Sequence, residues 1–292
     1  MHGLILAQMA LSGALMGLVY ALVAYGFQLT YATSKSINFG QGELVMMSAF
    51  CCLTLTHLGL PYPVMALAGM GIGALLGLFV ERAGVRLALE QQSEGWLLMT
   101  IIIGLFFFSL AENIWGRDDR PFPVPIPSDP LHFLGLDITP LEISVAVGVL
   151  AVMGLVELLK RRTLLGKAFA AVAADRDAAE LMGISARRTV MLSYALSGMV
   201  AAVAGILISP ITTVGPTMAS ALVLKAFSVA VVAGLDSGFG VVLVGLFLGA
   251  LESLASYYLG SGWREAPGLI LLILALALRP NGVFGKATVR KV

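Results

Sequence analysis

Charged residues are scarce in this chain, and those present are scattered through a mainly apolar sequence. Of its 292 residues, 12% are charged and 59% are apolar. A typical soluble domain has about a quarter charged residues, so the composition argues against a soluble globular protein. The formal net charge of +1 gives no excess of positive charge for nucleic-acid binding. Lipid is therefore the predicted solvent, and no nucleic-acid partner is expected.

Cysteine, histidine and catalytic motifs are also few. Cys51 and Cys52 are neighbours in an apolar stretch, where a disulfide between them would be strained, and no second pair completes a metal-binding pattern. We interpret both as small packing residues and predict no metal site. The sequence has no GxxxxGK[ST] phosphate loop and no set of nucleophile, base and orienting residue. It therefore predicts neither an ATPase nor a membrane enzyme, so any ATP hydrolysis belongs to a separate subunit.

Long apolar stretches recur along the whole chain. A membrane-spanning helix needs about 20 such residues, and the candidate stretches are residues 4–31, 44–56, 64–80, 96–110, 143–159, 190–208, 219–235, 241–259 and 269–278. The first lacks the cationic start and the cleavage site of a signal peptide, so we interpret it as a retained span. The sequence predicts an all-α, polytopic membrane protein with a single domain over residues 1–292. About eight or nine transmembrane helices are expected, some of them discontinuous.

Basic residues are distributed unevenly between the predicted loops. If residue 1 is placed outside and each span crosses the membrane in turn, fourteen of the 18 Lys and Arg residues fall in the cytoplasm. Arg117, Arg120 and Arg264 lie outside, and Lys225 lies in a span. The positive-inside rule then predicts an external N-terminus and a cytoplasmic C-terminus.

The external loop over residues 116–139 is rich in proline, with PFPVPIP at its centre. Proline cannot continue a helix and favours an extended polyproline conformation. The loop is predicted to be a stiff strap. It either covers helix ends as a connector or docks an external partner.

The cytoplasmic loop over residues 160–188 is the longest polar insert. Residues 167–182 include six alanines and other strong helix formers, so they predict one short helix. Gly183 is suited to a left-handed C-cap, and Ser185 to the N-cap of the next helix. An alanine-rich surface with acidic side chains fits a groove in another protein. The alternative is a helix that is only solvated.

Several charged residues fall inside apolar stretches, where an unpaired charge costs a few kcal/mol or more. Glu43, Lys225 and Glu252 are therefore expected to face a cavity, a partner charge or the headgroups. Glu112 and Asp236 lie near span ends, so we interpret them as interfacial.

The segment SINFGQGE brings Asn38, Gln41 and Glu43 together with two glycines, Gly40 and Gly42. Glycine loosens a helix, and irregular backbone in a membrane is tolerated only against protein or water. The segment predicts a discontinuous helix that lines a path, ordered by hydrogen bonds to Glu43. The alternative is a polar turn in which Glu43 caps the following helix.

Small residues at four-residue spacing predict close packing between helices of this chain. The rows are Gly13/Gly17, Gly69/Gly73/Gly77, Gly234/Gly238 and Gly245/Gly249. The phrase ALSG occurs at residues 10–13 and 195–198, a hint of the internal repeats found in many transporters.

Several motifs together resemble one family. INFGQGE at residues 37–43 is similar to the INFAHGE segment of permease subunits in branched-chain amino-acid ABC importers, the first of their two paired permeases. The resemblance continues, in the same order, through AADRDAAELMGISARR at 173–188, ALSGMVAAVAG at 195–205, KAFSVAVVAGLDSGFG at 225–240, GLFLGALES at 245–253 and RPNGVFG at 279–285. It covers nearly the whole chain.

The resemblance implies a multi-pass protein of the bacterial inner membrane, acting with a second permease, two ATPase subunits and a periplasmic solute-binding protein. ATP and Mg would bind the ATPases, and this chain would hold no cofactor. The implied coupling contact is Asp175, Ala178, Glu180, Met182, Gly183 and Ile184. The implied pathway or its supporting network is Asn38, Gln41, Glu43, Lys225 and Glu252. The alternatives are a relative that imports urea or short amides, a self-contained secondary transporter or channel, and a membrane scaffold.

Overall fold

The computed structural model describes residues 2–91, 93–127, 129–133, 136–279 and 281–285. The fold is 78% helical. Within the described residues, seven helices are long and apolar enough to cross a membrane. Lys286, Arg290 and Lys291, which the topology prediction places in the cytoplasm, lie outside the described residues.

The helices correspond to the apolar stretches of the sequence. In chain order they are α1 (His2–Ser34), α2 (Gln41–His57), α3 (Tyr62–Val80), α4 (Arg86–Glu90), α5 (Trp96–Trp115), α6 (Pro140–Arg162), α7 (Leu164–Ala174), α8 (Arg176–Leu181), α9 (Ala186–Ile208), α10 (Met218–Ala233), α11 (Gly238–Leu259) and α12 (Ala266–Leu278). A π-helical turn at Glu81–Val85 joins α3 to α4, and a 3₁₀ turn at Ser261–Trp263 precedes α12. Each predicted stretch lies on a helix, so the prediction of a polytopic helical fold is confirmed.

Glycines bring α1 and α11 into backbone contact. A methyl group added at Gly17 would overlap the carbonyl oxygen of Gly245, and one added at Gly13 would overlap that of Gly249. Small residues allow two helix backbones to approach this closely in a membrane. The predicted packing of these two glycine rows is confirmed, and they face each other.

A second glycine contact joins α3 and α9. Side chains at Gly73 and Gly77 would overlap the carbonyl oxygens of Gly198 and Tyr194. The predicted row at Gly234/Gly238 is wrong. The φ angle at Gly234 is +94°, and this residue ends α10, whereas Gly238 begins α11. The two glycines therefore flank a turn and share no helix face.

The proline-rich loop over residues 116–139 packs against the rest of the chain at several points. Arg120 and Val214 exchange backbone hydrogen bonds of 2.9 Å, and Phe122 is buried. The antiparallel pairing of β1 (Leu131–Phe133) with β2 (Leu136–Ile138) was not predicted. Its Asp137 N–H donates to Gln8 Oε1 over 2.9 Å. These contacts support the connector alternative for residues 116–139.

The polar insert over residues 160–188 contains two short helices, α7 and α8, where the sequence predicted one. Asp175 is extended, with φ −158° and ψ 116°, and its Oδ1 accepts a hydrogen bond from Ala178 N at 2.9 Å. The single-helix prediction was wrong because this side chain caps α8 and so competes with continuation of α7. The caps predicted at the far end are confirmed. Gly183 has φ +84°, and Ser185 Oγ accepts from Arg188 N at 3.4 Å.

Candidate transport site and coupling surface

The connection between α1 and α2 forms a buried cluster that we call the inner polar network. Its members are Thr33, Ser34, Ser36, Asn38 and Gln41 before or at the start of α2, and Ser193, Tyr194 and Ser197 on α9; each is at most 8% exposed. The irregular backbone between α1 and α2 is here enclosed by protein, which is the condition under which a membrane tolerates such backbone.

Hydrogen bonds tie the amide side chains of this network to α1 and α9. Asn38 Nδ2 donates to Gln41 Oε1 at 3.2 Å, and Gln41 Nε2 donates to the Ser197 carbonyl at 3.3 Å. Ser197 Oγ lies 2.9 Å from the Gly26 carbonyl and 3.1 Å from Gln41 Oε1. Asn38 Oδ1 also accepts from Gly40 N at 3.1 Å. Asn38 and Gln41 therefore fix the start of α2 inside the protein.

Hydroxyl groups complete the network at the end of α1. Ser34 Oγ and Ser36 Oγ are 2.6 Å apart, and Ser36 Oγ lies 2.9 Å from Tyr194 OH. Thr33 Oγ1 and Ser193 Oγ are also 2.6 Å apart. These bonds hold a turn that begins at Lys35, whose φ of +55° is unusual for a residue with a side chain.

Glu43 lies beside this network but faces α5. Its carboxyl carbon is 3.2 Å from the position that a Cβ would take on Gly104. Its Oε2 atom is buried and has no hydrogen-bond partner among the described residues. The contacts of the described residues therefore give no support to the hypothesis that Glu43 orders the segment by accepting hydrogen bonds at Oε2.

The other two embedded charges meet in what we call the outer charge cluster, formed by Tyr20 on α1, Lys225 on α10 and Glu252 on α11. Lys225 Nζ lies 3.0 Å from Glu252 Oε2, and Tyr20 OH donates to the same oxygen at 3.2 Å. The Lys225 ammonium is 5.3 Å from the centre of the Tyr20 ring. Glu252 is 2% exposed and the Lys225 side chain 11%. Lys225 and Glu252 are therefore the partner charges of one another.

Two cavities adjoin the outer charge cluster. One, of about 460 Å³, lies between α1 and α11, with Glu252 and Arg264 in its wall. The other, of about 260 Å³, is lined by Asp119 and Lys225 among others. Tyr20 and Arg264 belong to both walls, so the two cavities are neighbours. The five predicted pathway residues thus divide into two groups, and only Lys225 and Glu252 border these cavities.

Sequence reasoning missed the ion pair between Glu81 and Arg86. Arg86 Nε donates to Glu81 Oε1 at 3.0 Å, and Nη2 donates to Oε2 at 2.6 Å. Glu81 is 2% exposed. Residues five apart do not face one another on an α-helix, but the π-helical turn at Glu81–Val85 brings them together. The five-residue spacing of opposite charges was the available signal.

The predicted coupling residues gather around α8. Ala178 and Glu180 are exposed on it, and Met182, just past its end, is 82% exposed. Leu181 was not named in the prediction, yet it is 89% exposed. Ile184 instead packs against a small core. We use the term coupling surface for Ala178, Glu180, Leu181 and Met182.

The family model described as "Branched-chain amino acid transport system / permease component" matches residues 9–278. This chain belongs to that family. It is 27% identical over 299 residues to the high-affinity branched-chain amino acid transport system permease protein LivH of Salmonella typhimurium, covering 98% of this chain and 97% of LivH. It is 29% identical over 300 residues to the corresponding protein BraD of Pseudomonas aeruginosa, with the same coverage. The autoinducer 2 import system permease protein LsrC of an Enterobacter species is 30% identical over 282 residues, covering 90% of this chain and 78% of LsrC.

The family match confirms the resemblance seen in the sequence motifs. Together with the apolar helices, it identifies a multi-pass permease of the inner membrane. Membership also agrees with a transport subunit and not an enzyme.

Proposed function

We propose that this chain is one of two paired permease subunits in an ATP-driven importer for branched-chain or related amino acids. Two ATPase subunits with ATP and Mg²⁺ would dock on its cytoplasmic side, and a periplasmic binding protein would deliver the solute. Support comes from the near-complete coverage of relatives named as branched-chain amino acid permeases.

The coupling surface is the observation that carries the proposal. Leu181 and Met182 are among the most exposed large apolar residues in the described part of the chain. Leu181 ends α8 and Met182 follows it, in a polar insert outside the candidate spans. Apolar side chains displayed on a short helix suit the groove of a partner protein. A self-contained transporter or channel would give this surface no task.

The proposed orientation has an external N-terminus and a cytoplasmic C-terminus. The contact between Gln8 and Asp137 puts the start of α1 beside the loop of residues 116–139, which carries few basic residues. The opposite end carries Lys160, Arg161 and the basic residues that follow. The positive-inside rule assigns that end to the cytoplasm.

The test is reconstitution of the complete complex in proteoliposomes. ATP hydrolysis is measured with the binding protein loaded in turn with leucine, isoleucine, valine, other amino acids, urea or a short amide. We expect a branched-chain amino acid to give the strongest stimulation and ATP-dependent uptake. Stimulation by urea or amides alone would contradict the amino-acid assignment. Uptake without ATPase subunits or ATP would contradict the importer assignment.

The coupling surface can be tested with matched alanine variants. Ala178→Trp should leave the permease folded, because Ala178 is exposed, but it should weaken ATPase association because a helix seated in a groove must approach closely. Ala170→Trp, at an exposed alanine on α7, is the control. Gly183→Ala should act in the same direction as Ala178→Trp, since a left-handed residue with a Cβ costs about 1–2 kcal/mol. Co-purification of the ATPase is the readout. Normal association and uptake in the Ala178 variant would refute the coupling role.

A further inference from the structure

The exposed face of α6 ends in a basic residue. Exposed residues recur along this helix at three- and four-residue spacing, at Val147, Ala151, Leu155 and Leu158, and Arg162 continues the row. Side chains at this spacing share one face of a helix. Because α6 is long and apolar enough to cross a membrane, an apolar face left exposed along it suits the acyl chains of lipids. Arg162 lies where that face ends.

The first turn of α7 adds further side chains at the same place. α7 begins two residues after the end of α6, and a side chain at Gly166 would overlap the carbonyl oxygen of Lys160, so the two helices touch here. Leu164 is 81% exposed and Leu165 44%, and the next basic residue is also exposed. We use the term α6–α7 patch for Arg162, Leu164, Leu165 and Lys167.

The α6–α7 patch carries positive charge that the described residues leave unpaired. Residues 157–167 include four basic residues and one acid, Glu157. Glu157 pairs with Lys160 at 3.3 Å and with Arg161 at 2.8 Å. Neither Arg162 nor Lys167 forms a salt bridge with another described residue. Two cations therefore remain for an anion from outside the chain.

The apolar side chains indicate what kind of anion fits. A free phosphate ion would gain nothing from Leu164 and Leu165 or from the exposed face of α6. An anionic phospholipid has a phosphate for the arginine and the lysine and acyl chains for the apolar face. Leucines placed between basic residues are typical of segments that lie at the membrane boundary. The coupling surface differs in sign, because an anionic membrane would repel Glu180.

We propose that the α6–α7 patch binds an anionic phospholipid, with the phosphate on Arg162 and Lys167 and the acyl chains along the exposed face of α6. Leu164 and Leu165 insert beside this lipid, at the boundary between headgroups and chains. The site requires only that α6 spans a membrane, so it goes beyond the proposed function and does not rest on it. The bound lipid anchors the start of the polar insert to the membrane surface.

The experiment measures which lipid lies beside α6. The complete complex, with Cys51 and Cys52 replaced by alanine, is placed in phosphatidylcholine nanodiscs containing a minor fraction of lipid with a nitroxide on its acyl chain. Leu155→Cys carries a bimane fluorophore, which a nearby nitroxide quenches. Val147→Cys is the matched control, since it is 61% exposed against 63% for Leu155. Val147 lies seven residues from the start of α6, and Leu155 seven residues from its end.

We expect phosphatidylglycerol to be preferred over phosphatidylcholine beside Leu155→Cys and not beside Val147→Cys. The preference is the ratio of the mole fractions of the two nitroxide lipids that give half-maximal quenching. Each basic residue at a membrane surface raises affinity for anionic lipid about fivefold, so the two unpaired cations should together give a preference of roughly 25-fold. Both leaflets of the nanodisc have the same composition, so the control probe meets the same lipid mixture.

Charge variants test which residues hold the headgroup. Arg162→Gln should lower the preference about fivefold, and adding Lys167→Gln should abolish it. Arg162→Lys should retain most of the preference because the charge remains. Arg188→Gln removes an exposed base of the same insert outside the patch, and it should change the preference little. All three positions are exposed, so these variants should fold normally.

Four outcomes would overturn the site. No quenching of Leu155→Cys by either lipid would show that another subunit covers this face of α6. Equal quenching by the two lipids would show that the patch does not select an anionic headgroup, and equal losses in Arg162→Gln and Arg188→Gln would show only a general surface charge. Displacement of nitroxide phosphatidylglycerol by glycerol 3-phosphate would show a site for a soluble anion. None of these outcomes bears on the proposed function, which the uptake assay tests.

Discussion

Two buried polar clusters in this permease stabilise polar side chains among apolar helices in different ways. In the inner polar network, uncharged side chains bond to one another and to backbone carbonyls, as between Gln41 and Ser197. In the outer charge cluster, two full charges meet beside a cavity, and Glu252 Oε1 has no hydrogen-bond partner among the described residues. The first cluster bonds its polar atoms within the chain, whereas the second leaves one buried carboxylate oxygen unpaired among the described residues.

The difference separates embedded polar residues whose hydrogen bonds are satisfied within the chain from one that keeps an unpaired atom. A satisfied network makes a unique arrangement rigid, whereas a partly satisfied one is costly unless something completes it. The cost of placing polar groups in lipid, which draws attention to Asn38 and Gln41 as much as to Glu252, does not distinguish the two cases. The count of unpaired atoms does.

The largest expected effect comes from removing one member of the charge pair. Glu252→Leu leaves the Lys225 ammonium buried and unpaired, and breaking a buried pair in this way costs about 3–5 kcal/mol. The double variant Glu252→Leu with Lys225→Met should recover most of that stability, since replacing a whole pair by apolar residues is often neutral. The readout is the fraction of monodisperse protein after heating in detergent. A single variant as stable as the double would contradict the buried ion pair.

A middle-sized effect is expected in the inner network. Gln41→Leu removes the acceptor of Asn38 Nδ2, which should cost about 1–3 kcal/mol for the unsatisfied group. Gln41→His should be milder because imidazole has both a donor and an acceptor, and histidine stands at this place in the INFAHGE motif. The same heating assay compares the two variants at matched expression. Equal losses of stability in the two variants would show that side-chain volume, and not hydrogen bonding, determines the contribution of Gln41.

The smallest effect is expected from one chemical change made in both clusters. Tyr194→Phe removes a buried hydroxyl that is hydrogen-bonded to Ser36. Tyr20→Phe removes the hydroxyl that donates to Glu252. Both should cost about 1 kcal/mol, and Tyr20→Phe should cost less because water can enter the polar cavity beside it. Thermal stability of the two variants decides the order. A greater loss in Tyr20→Phe would contradict this expected order.

The sequence was sufficient for most features that depend on local signals. Each apolar stretch became a helix because length and hydropathy alone determine a span. The C-cap at Gly183 and the N-cap at Ser185 followed from residue type. The break at Asp175 was missed although its cause is local, because the alanines around it favoured one continuous helix.

Contacts between distant segments could not be predicted in the same way. The cost of a buried charge indicated that Lys225 and Glu252 needed partners, but only the packing of α10 against α11 pairs them. Arg264 appeared to be an ordinary external residue, and nothing in the sequence placed it in a cavity wall with Glu252. Glycine spacing identified rows at Gly13 and Gly245 but not that they face each other.

The glycine contact between α1 and α11 has a consequence for synthesis of the protein. Tyr20 and Glu252 are separated by 232 residues, so the first helix enters the membrane long before its main partner is made. At about 5–20 residues per second, the ribosome needs roughly 10 to 50 s to cover that distance. During this interval the Gly13 and Gly17 face of α1 must lie against lipid, the insertion machinery or another chain. Nascent chains stopped before α11 should therefore remain open to capture and degradation.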